Sequence, residues 1–266
     1  MMDKLTALMY KLFRPSGIST SLFQLMLPLA LYLGFQADAH WGWWLGSVIG
    51  FTVVYSTIGN NVGFHRCITH GQFTVAKPIE YMFVWLGCMN MLGSPTSYTI
   101  THLVHHTFPD SDVDPHGPGR GIKSLLIYFQ KTAHLHQVKL GFNASKRIAY
   151  LNKKYGWIHN FYVPFVVVNA FLLYLISYNV FLFLWFIPCT VVCWGIAWTV
   201  WIQHRGHAPQ NSKINSYTVI YEGLHKNHHL DPMNSNNAIN PGEIDYIFYL
   251  QKIFRPKFPE RRNKNA

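Results

Sequence analysis

Residues 41–70 read WGWWLGSVIGFTVVYSTIGNNVGFHRCITH. The stretch Trp41–Val62 carries no charged side chain and is long enough to span a bilayer as a helix, which takes about 20 apolar residues. Immediately beyond it stand His65 and His70. An apolar span that ends in paired imidazoles poses two questions: how many such spans the chain has, and where its other histidines fall.

Working outward, strong apolar segments run approximately Ser21–Phe35, Trp157–Tyr178 and Val180–Ile202. A fifth, Pro78–Pro95, is apolar but carries Glu80 and Asn90 and is bounded by prolines. Two connections, Gln36–His40 and Ser177–Val180, are so short that they read as the turns of helical hairpins. A hairpin enters and leaves on one face. The N-terminus, the centre from about His65 to Trp157 and the tail should therefore share a side.

The basic residues fit that partition. Lys4, Lys11 and Arg14 precede the first span, and every other Lys and Arg falls in the centre or the tail. All 22 then lie on one side, which the positive-inside rule makes cytoplasmic. A crossing by Pro78–Pro95 would break the pattern, so this segment is expected to be buried or interfacial. The run Lys4–Arg14, the apolar stretch and Ala37-Asp38-Ala39 resemble a cleavable signal. The long leading region and the immediate second span favour a retained hairpin. The expected architecture is an all-α integral membrane protein, one domain over residues 1–266, with four transmembrane helices in two hairpins and a cytoplasmic helical cap.

Composition agrees. Charged residues make up 12%, against roughly 25% in soluble domains, and half the chain is hydrophobic. The net charge of +11 comes without a nucleic-acid motif or an aromatic-interleaved basic stripe, so a membrane-facing surface is favoured over nucleic acid. Cys67, Cys88, Cys189 and Cys193 form no C-x-x-C pair and read as reduced thiols. The stretch Ile122–His136 reads as an amphipathic helix, either along the interface or on the core.

Histidine is the anomaly: 15 residues, more than the 11 acids combined. Three clusters follow apolar segments: His65-Arg66-Cys67-Ile68-Thr69-His70, His102-Leu103-Val104-His105-His106, and His225-Lys226-Asn227-His228-His229. In H-x-x-H-H the histidines stand at i, i+3 and i+4, on one helical face. The first cluster, spaced i, i+5, is expected to work only if the chain turns where the span ends. Gln203 and His207 add an i, i+4 pair at the end of the last span. Nine imidazoles exceed the four ligands of structural zinc and the three of catalytic zinc. Two metals with four or five ligands each fit the number. Imidazole suits iron, zinc, copper and nickel, so the count does not name the metal.

These motifs resemble the membrane fatty-acyl desaturases, in the branch with stearoyl-CoA desaturase and the bacterial acyl-CoA and acyl-lipid desaturases. That family's first box reads H-R-x-x-[ST]-H, as His65–His70 does. Its second continues into D-x-D-P-H, here Asp112-Val113-Asp114-Pro115-His116. Its third is similar to Tyr221-Glu222-Gly223-Leu224-His225-Lys226-Asn227-His228-His229. The likeness extends from about the first span to Pro232.

The resemblance implies two iron ions held by His65, His70, His102, His105, His106, His225, His228 and His229, with His207 as the ninth ligand from an N-x-x-x-H motif. Gln203 replaces the asparagine that holds a metal-bound water there. Leu103, Lys226 and Leu224 are further departures, which bear on substrate choice. Asp112, Asp114 and His116 are candidates to orient the ligands, since metal-bound histidines commonly donate their other N–H to a carboxylate or carbonyl. Capping of a turn is the alternative for them. His40, His134, His136, His159 and His204 belong to no box and read as structural or exposed.

The implied reaction is O2-dependent removal of two hydrogens from adjacent methylenes of a fatty-acyl chain, leaving a cis double bond, most simply of Δ9 type. A histidine-box hydroxylase or ketolase is the neighbouring alternative, and a zinc enzyme or metal transporter the distant one. Regioselectivity on an unactivated chain needs a tunnel of fixed depth, with Val53 and Thr57 as candidate caps. No electron-carrying motif is present, so a separate cytochrome b5-like or ferredoxin donor is implied. The basic face suits an acidic partner or head group.

Overall fold

The computed structural model describes residues 14–15, 17–116, 125, 138–206, 208–218 and 222–259. Ile122–His136, apart from Leu125, and His207 lie outside them. The described residues are helical, with one isolated antiparallel bridge between Thr74 and Lys257.

The first apolar segment forms two short helices, α1 (Gly17–Leu25) and α2 (Leu27–Gln36), with Pro28 in the first turn of α2. After the tight turn, α3 (Trp41–Val53) starts on His40, whose Nδ1 accepts the Gly42 N–H at 3.3 Å. The helix does not stop where the apolar residues do. It widens into a π-helical segment, Val54–His70, that ends at Gly71, whose φ of 63° closes it in the left-handed region. This corrects the expectation for the first histidine cluster. A π-helix bonds i to i+5, so His65 and His70 stack along one face without any turn between them, ring centroids 4.9 Å apart.

Helix α4 (Lys77–Met89) occupies most of the Pro78–Pro95 segment. Its 13 residues fall short of the length needed to cross a bilayer. It packs on the π segment through small residues: a Cβ on Gly87 would stand 2.2 Å from the Phe64 ring. The carbonyls at its C-terminal end are satisfied by neighbours, Tyr162 Oη donating to Cys88 and Trp185 Nε1 to Met89. Helix α5 (Pro95–Thr107) begins with a capping box, Ser94 and Ser97 satisfying each other's backbone N–H, and carries the second histidine cluster in its last two turns.

Helices α6 (Phe142–Asn160) and α7 (Tyr162–Ile176) are bent by 60° relative to each other at Phe161. Among the described residues, α8 (Tyr178–Gln203), 26 residues long, is the one helix long and apolar enough to cross a membrane, and the bent pair α6–α7 makes a second candidate. Val167, Val168, Phe171, Leu172, Leu175 and Ile176 of α7 are all exposed, a contiguous apolar surface of the kind that meets lipid or a partner. Short helices α9 (Lys213–Thr218), α10 (His225–Leu230) and α11 (Tyr246–Gln251) follow, the last running into a 3-10 turn, Lys252–Phe254.

Candidate dimetal centre

Four separate elements bring nine histidines together: the π segment, α5, the residue just past α8, and α10. Helix α10 has six residues, too few to persist alone. It is held from outside. Asn211 accepts the Lys226 N–H at 2.9 Å and donates to Asn227, which in turn donates to Glu243. Gln203 donates to the Glu222 and Gly223 carbonyls at 2.7 and 3.3 Å. Arg66, fully buried, donates to both Glu222 oxygens and to Asp245 at 2.7–3.1 Å.

The imidazoles separate into two poles. His65, His70, His102, His106 and His228 form one, and His105, His204, His225 and His229 the other, with candidate ligand atoms within 4.8 Å of one another in each. The division explains the H-x-x-H-H pattern. In α5 the i, i+4 pair His102 and His106 faces the first pole and His105 the second. In α10 the i, i+4 pair His225 and His229 faces the second pole and His228 the first. Each H-x-x-H-H box therefore serves both poles, whereas His65 and His70 of the first box both serve the first.

The nitrogens are spaced as a coordination shell would have them. Nε2 of His65 and His228, of His70 and His102, of His102 and His106, and of His106 and His228 are 2.8–3.0 Å apart. In the second pole, Nε2 of His225 is 2.8 Å from that of His204 and 3.1 Å from that of His229. Metal–nitrogen bonds of about 2.1 Å give neighbouring ligands about 3.0 Å apart around an octahedral ion and about 3.4 Å around a tetrahedral one. Spacings of this order suit nitrogens gathered around a shared ion. His105 Nε2 is buried with no hydrogen-bond partner, while its Nδ1 donates to Asp114 at 2.9 Å. Its lone pair is thus turned to the pole. The residues present fit two cations.

Electrostatics keep the rings neutral and ready to ligate. Burial, and then the neighbouring histidines, push His65, His102, His106, His225 and His228 well below the usual imidazole range. Burial lowers His70 to about 3 and His229 to about 2. Burial alone would raise Asp114, but the adjoining His105 and the His116 N–H hold it below the ordinary carboxylate range.

All eight box histidines meet at the poles. Among the described residues the ninth imidazole at the poles is His204, expected from the sequence to be structural or exposed. The i, i+4 pairing of Gln203 with His207 assumed that the helix continued. In fact α8 ends at Gln203, His204 follows it as the cap, and Gly206 turns the chain at φ 90°. Gln203 is buried, but its amide faces the segment before α10 and no pole nitrogen. Asp112 is exposed, whereas Asp114 contacts His105. His116 stacks edge-on against His105, centroids 4.8 Å apart, outside both ligand sets.

The sequence reading missed Asp110, whose Oδ2 lies 3.1 Å from His204 Nδ1, and the Arg66–Glu222–Asp245 network. Its traces in the sequence were the arginine of the first box and the glutamate three residues before His225. A cavity of about 50 Å³ adjoins both poles, lined by His65 and His102 of one, His105 and His225 of the other, and by Asn60, Asn61, Tyr98, Ile196, Thr199 and Val200. Val53 and Thr57 do not line it, and Thr57 is fully buried.

A polyhistidine site with two poles beside apolar helices is consistent with the dimetal centre of a membrane-associated protein. Residues 39–239 match the profile of the fatty acid desaturase family, and the chain belongs to that family. It is 28% identical over 252 residues to the acyl-CoA 5-desaturase AL21 of Anemone leveillei, covering 88% of this chain and 77% of that one. It is 27% identical over 223 residues to the Delta-9 acyl-lipid desaturase 1 of Arabidopsis thaliana, covering 76% and 70%. The acyl-CoA C20 Delta5-desaturase of Anemone leveillei is also 27% identical, over 209 residues, covering 75% and 67%. The chain is thus a fatty acid desaturase, an oxidoreductase whose family implies a di-iron centre.

Proposed function

We propose that this desaturase uses two iron ions, one held by His65, His70, His102, His106 and His228 and the other by His105, His204, His225 and His229, to place a cis double bond at Δ9 of an acyl chain carried on CoA or on a lipid. The observation that carries the reading is the division of nine imidazoles into two sets, one of five and one of four, whose ligand atoms lie within 4.8 Å of one another. When bound, the iron pair supplies the O2 chemistry that removes hydrogen from adjacent methylenes.

The chain's own residues do the rest. Ile196 and Val200 give the cavity beside the poles an apolar wall suited to methylenes. Val53 and Thr57 lie earlier on the helix that carries Asn60 and Asn61, and in this reading they limit the depth of the acyl tunnel.

The same reading places four spans in two hairpins, with both termini and the metal centre cytoplasmic. The confinement of all 22 basic residues to one side of that arrangement supports it. A separate acidic donor, cytochrome b5-like or ferredoxin, delivers electrons to the basic face. Relatives named as Δ9 acyl-lipid and as Δ5 acyl-CoA desaturases make both carriers chemically reasonable.

Expression in a desaturase-deficient host, with fatty-acid profiling and double-bond location, tests the proposal. A new Δ9 alkene that disappears with H65A or H228A is expected. A hydroxylated product overturns desaturation in favour of hydroxylation, and an alkene elsewhere overturns the Δ9 assignment alone.

A further inference from the structure

The two poles differ in what surrounds them. In the four-histidine pole, His105 Nδ1 donates to Asp114 at 2.9 Å and His204 Nδ1 faces Asp110 at 3.1 Å. Both pairs are dry, with side-chain exposures of 1% and 0% for His105 and Asp114, and of 0% and 5% for His204 and Asp110. Asp114 is itself fixed, accepting the backbone N–H groups of Asp110 and His116.

Around the five-histidine pole the carboxylate is farther away and already engaged. Glu222 is 3.9 Å from His65 Nδ1 and is clamped by Arg66. His228 Nδ1 is buried without a partner. Arg66 follows His65 directly, and Arg147 donates to the carbonyls of Cys67 and Ile68, just before His70.

We propose that the four-histidine pole is the tighter metal position and fills first, with Asp110 and Asp114 as its positioning residues. The inference rests on the nine-ligand reading above and goes beyond it. A carboxylate on the far nitrogen fixes the tautomer, orients the ring and makes the ligating nitrogen more basic. Buried anions also attract a dication through a weakly screened interior, and nearby guanidiniums repel it. The five-histidine pole has one more ligand, yet Glu222 and Asp245 beside it are engaged by Arg66, and the nearer of them to a ring nitrogen is 3.9 Å from His65 Nδ1. The ion there is the one lost first, leaving a singly loaded protein.

The test is titration of the metal-stripped, full-length protein with Co²⁺, read by bound stoichiometry. Two successive one-equivalent steps are expected. Asp110→Asn should weaken the first by about 10–100-fold and spare the second, and Asp110→Glu should restore it. X-ray absorption of the native chain at one equivalent needs no variant and should give four imidazole scatterers. Simultaneous filling, five imidazoles at one equivalent, or an Asp110→Asn effect on the second step alone overturns the filling order. A chain that binds no cobalt overturns the nine-ligand reading itself, so the two failures are distinguishable.

Discussion

Arg66 and Glu222, 156 residues apart in sequence, meet in a buried bidentate pair, with Nε–Oε2 at 3.1 Å and Nη2–Oε1 at 3.0 Å. Arg66 belongs to the first histidine box, and Glu222 stands three residues before the third. The pair ties the π segment to α10, and Asp245, which also caps α11, is drawn into the same guanidinium. Burial raises Glu222 above the ordinary carboxyl range despite Arg66, and Asp245 adds to that effect.

Removing one partner of a buried ion pair strands the other without compensation and costs about 3–5 kcal/mol. R66A is therefore expected to lower the denaturation midpoint sharply and to release metal from both poles, because α10 supplies histidines to each. R66K keeps the charge but loses the planar fork and should recover only part of the loss. Chemical denaturation and metal content, measured on the same preparations, check both. Native stability and full metal content in R66A would refute the role.

His204 against His207 is a second clean contrast. The structure gives the four-histidine pole His204, whose Nε2 lies 2.8 Å from that of His225. H204A should lower bound metal from two ions to one per chain and abolish desaturation, while H207A should retain both ions. Elemental analysis of the two purified variants decides between them, and the opposite pattern would return the ninth position to His207.

Much of this centre was legible in the sequence, for a physical reason. Eight of its histidines sit in short-range patterns, and helical periodicity alone brings i, i+3 and i+4 to one face. The ninth depended on where α8 ends. Helix ends are the least readable feature of a sequence: α8 ends at Gln203, which brings His204 to a pole, while His207 lies outside the described residues. The π-helical widening of 54–70 was not readable either, since it is chosen by packing against α4 and α5. Asp110 and Asp112 stand in one acidic turn. Only the positive φ of 61° at Asp110 decides how that turn presents its carboxylates. The apolar runs gave the helices but not their breaks: α1 is separated from α2 at Met26, and α6 from α7 at Phe161.

Acid should act on the centre in a definite direction. His65, His102, His106, His225 and His228 have folded-state values well below 6.5, and His70 and His229 sit at about 3 and about 2. Between those values and about 6.5 the unfolded chain binds more protons than the folded one, so stability rises with pH across that window. Acidifying below about 6.5 therefore lowers the stability contributed by each histidine that the fold keeps neutral. Protons also compete with metal for the same nitrogens. Thermal midpoint and bound metal should fall together from about pH 6.5 downward. A flat profile between pH 7 and pH 5 would contradict the buried, neutral histidines.

Gly87 offers a test of how tightly the scaffold fixes the metal centre. Its missing side chain lets the Phe64 ring lie against α4, and an added Cβ would stand 2.2 Å from Cδ1 and 2.3 Å from Cε1 of that ring. Real Cβ atoms do not approach so closely, so G87A must displace either α4 or Phe64. Overpacking of this kind typically costs about 1–3 kcal/mol. Phe64 is the residue before His65, and moving it re-aims a ligand of the five-histidine pole. Beyond the stability loss, G87A should weaken metal binding at that pole and leave the four-histidine pole loaded. The double variant G87A/F64L, with a smaller side chain at the contact, should regain both properties in part. If G87A is destabilised but F64L gives no recovery of metal, the clash lies elsewhere and Phe64 does not transmit it to His65.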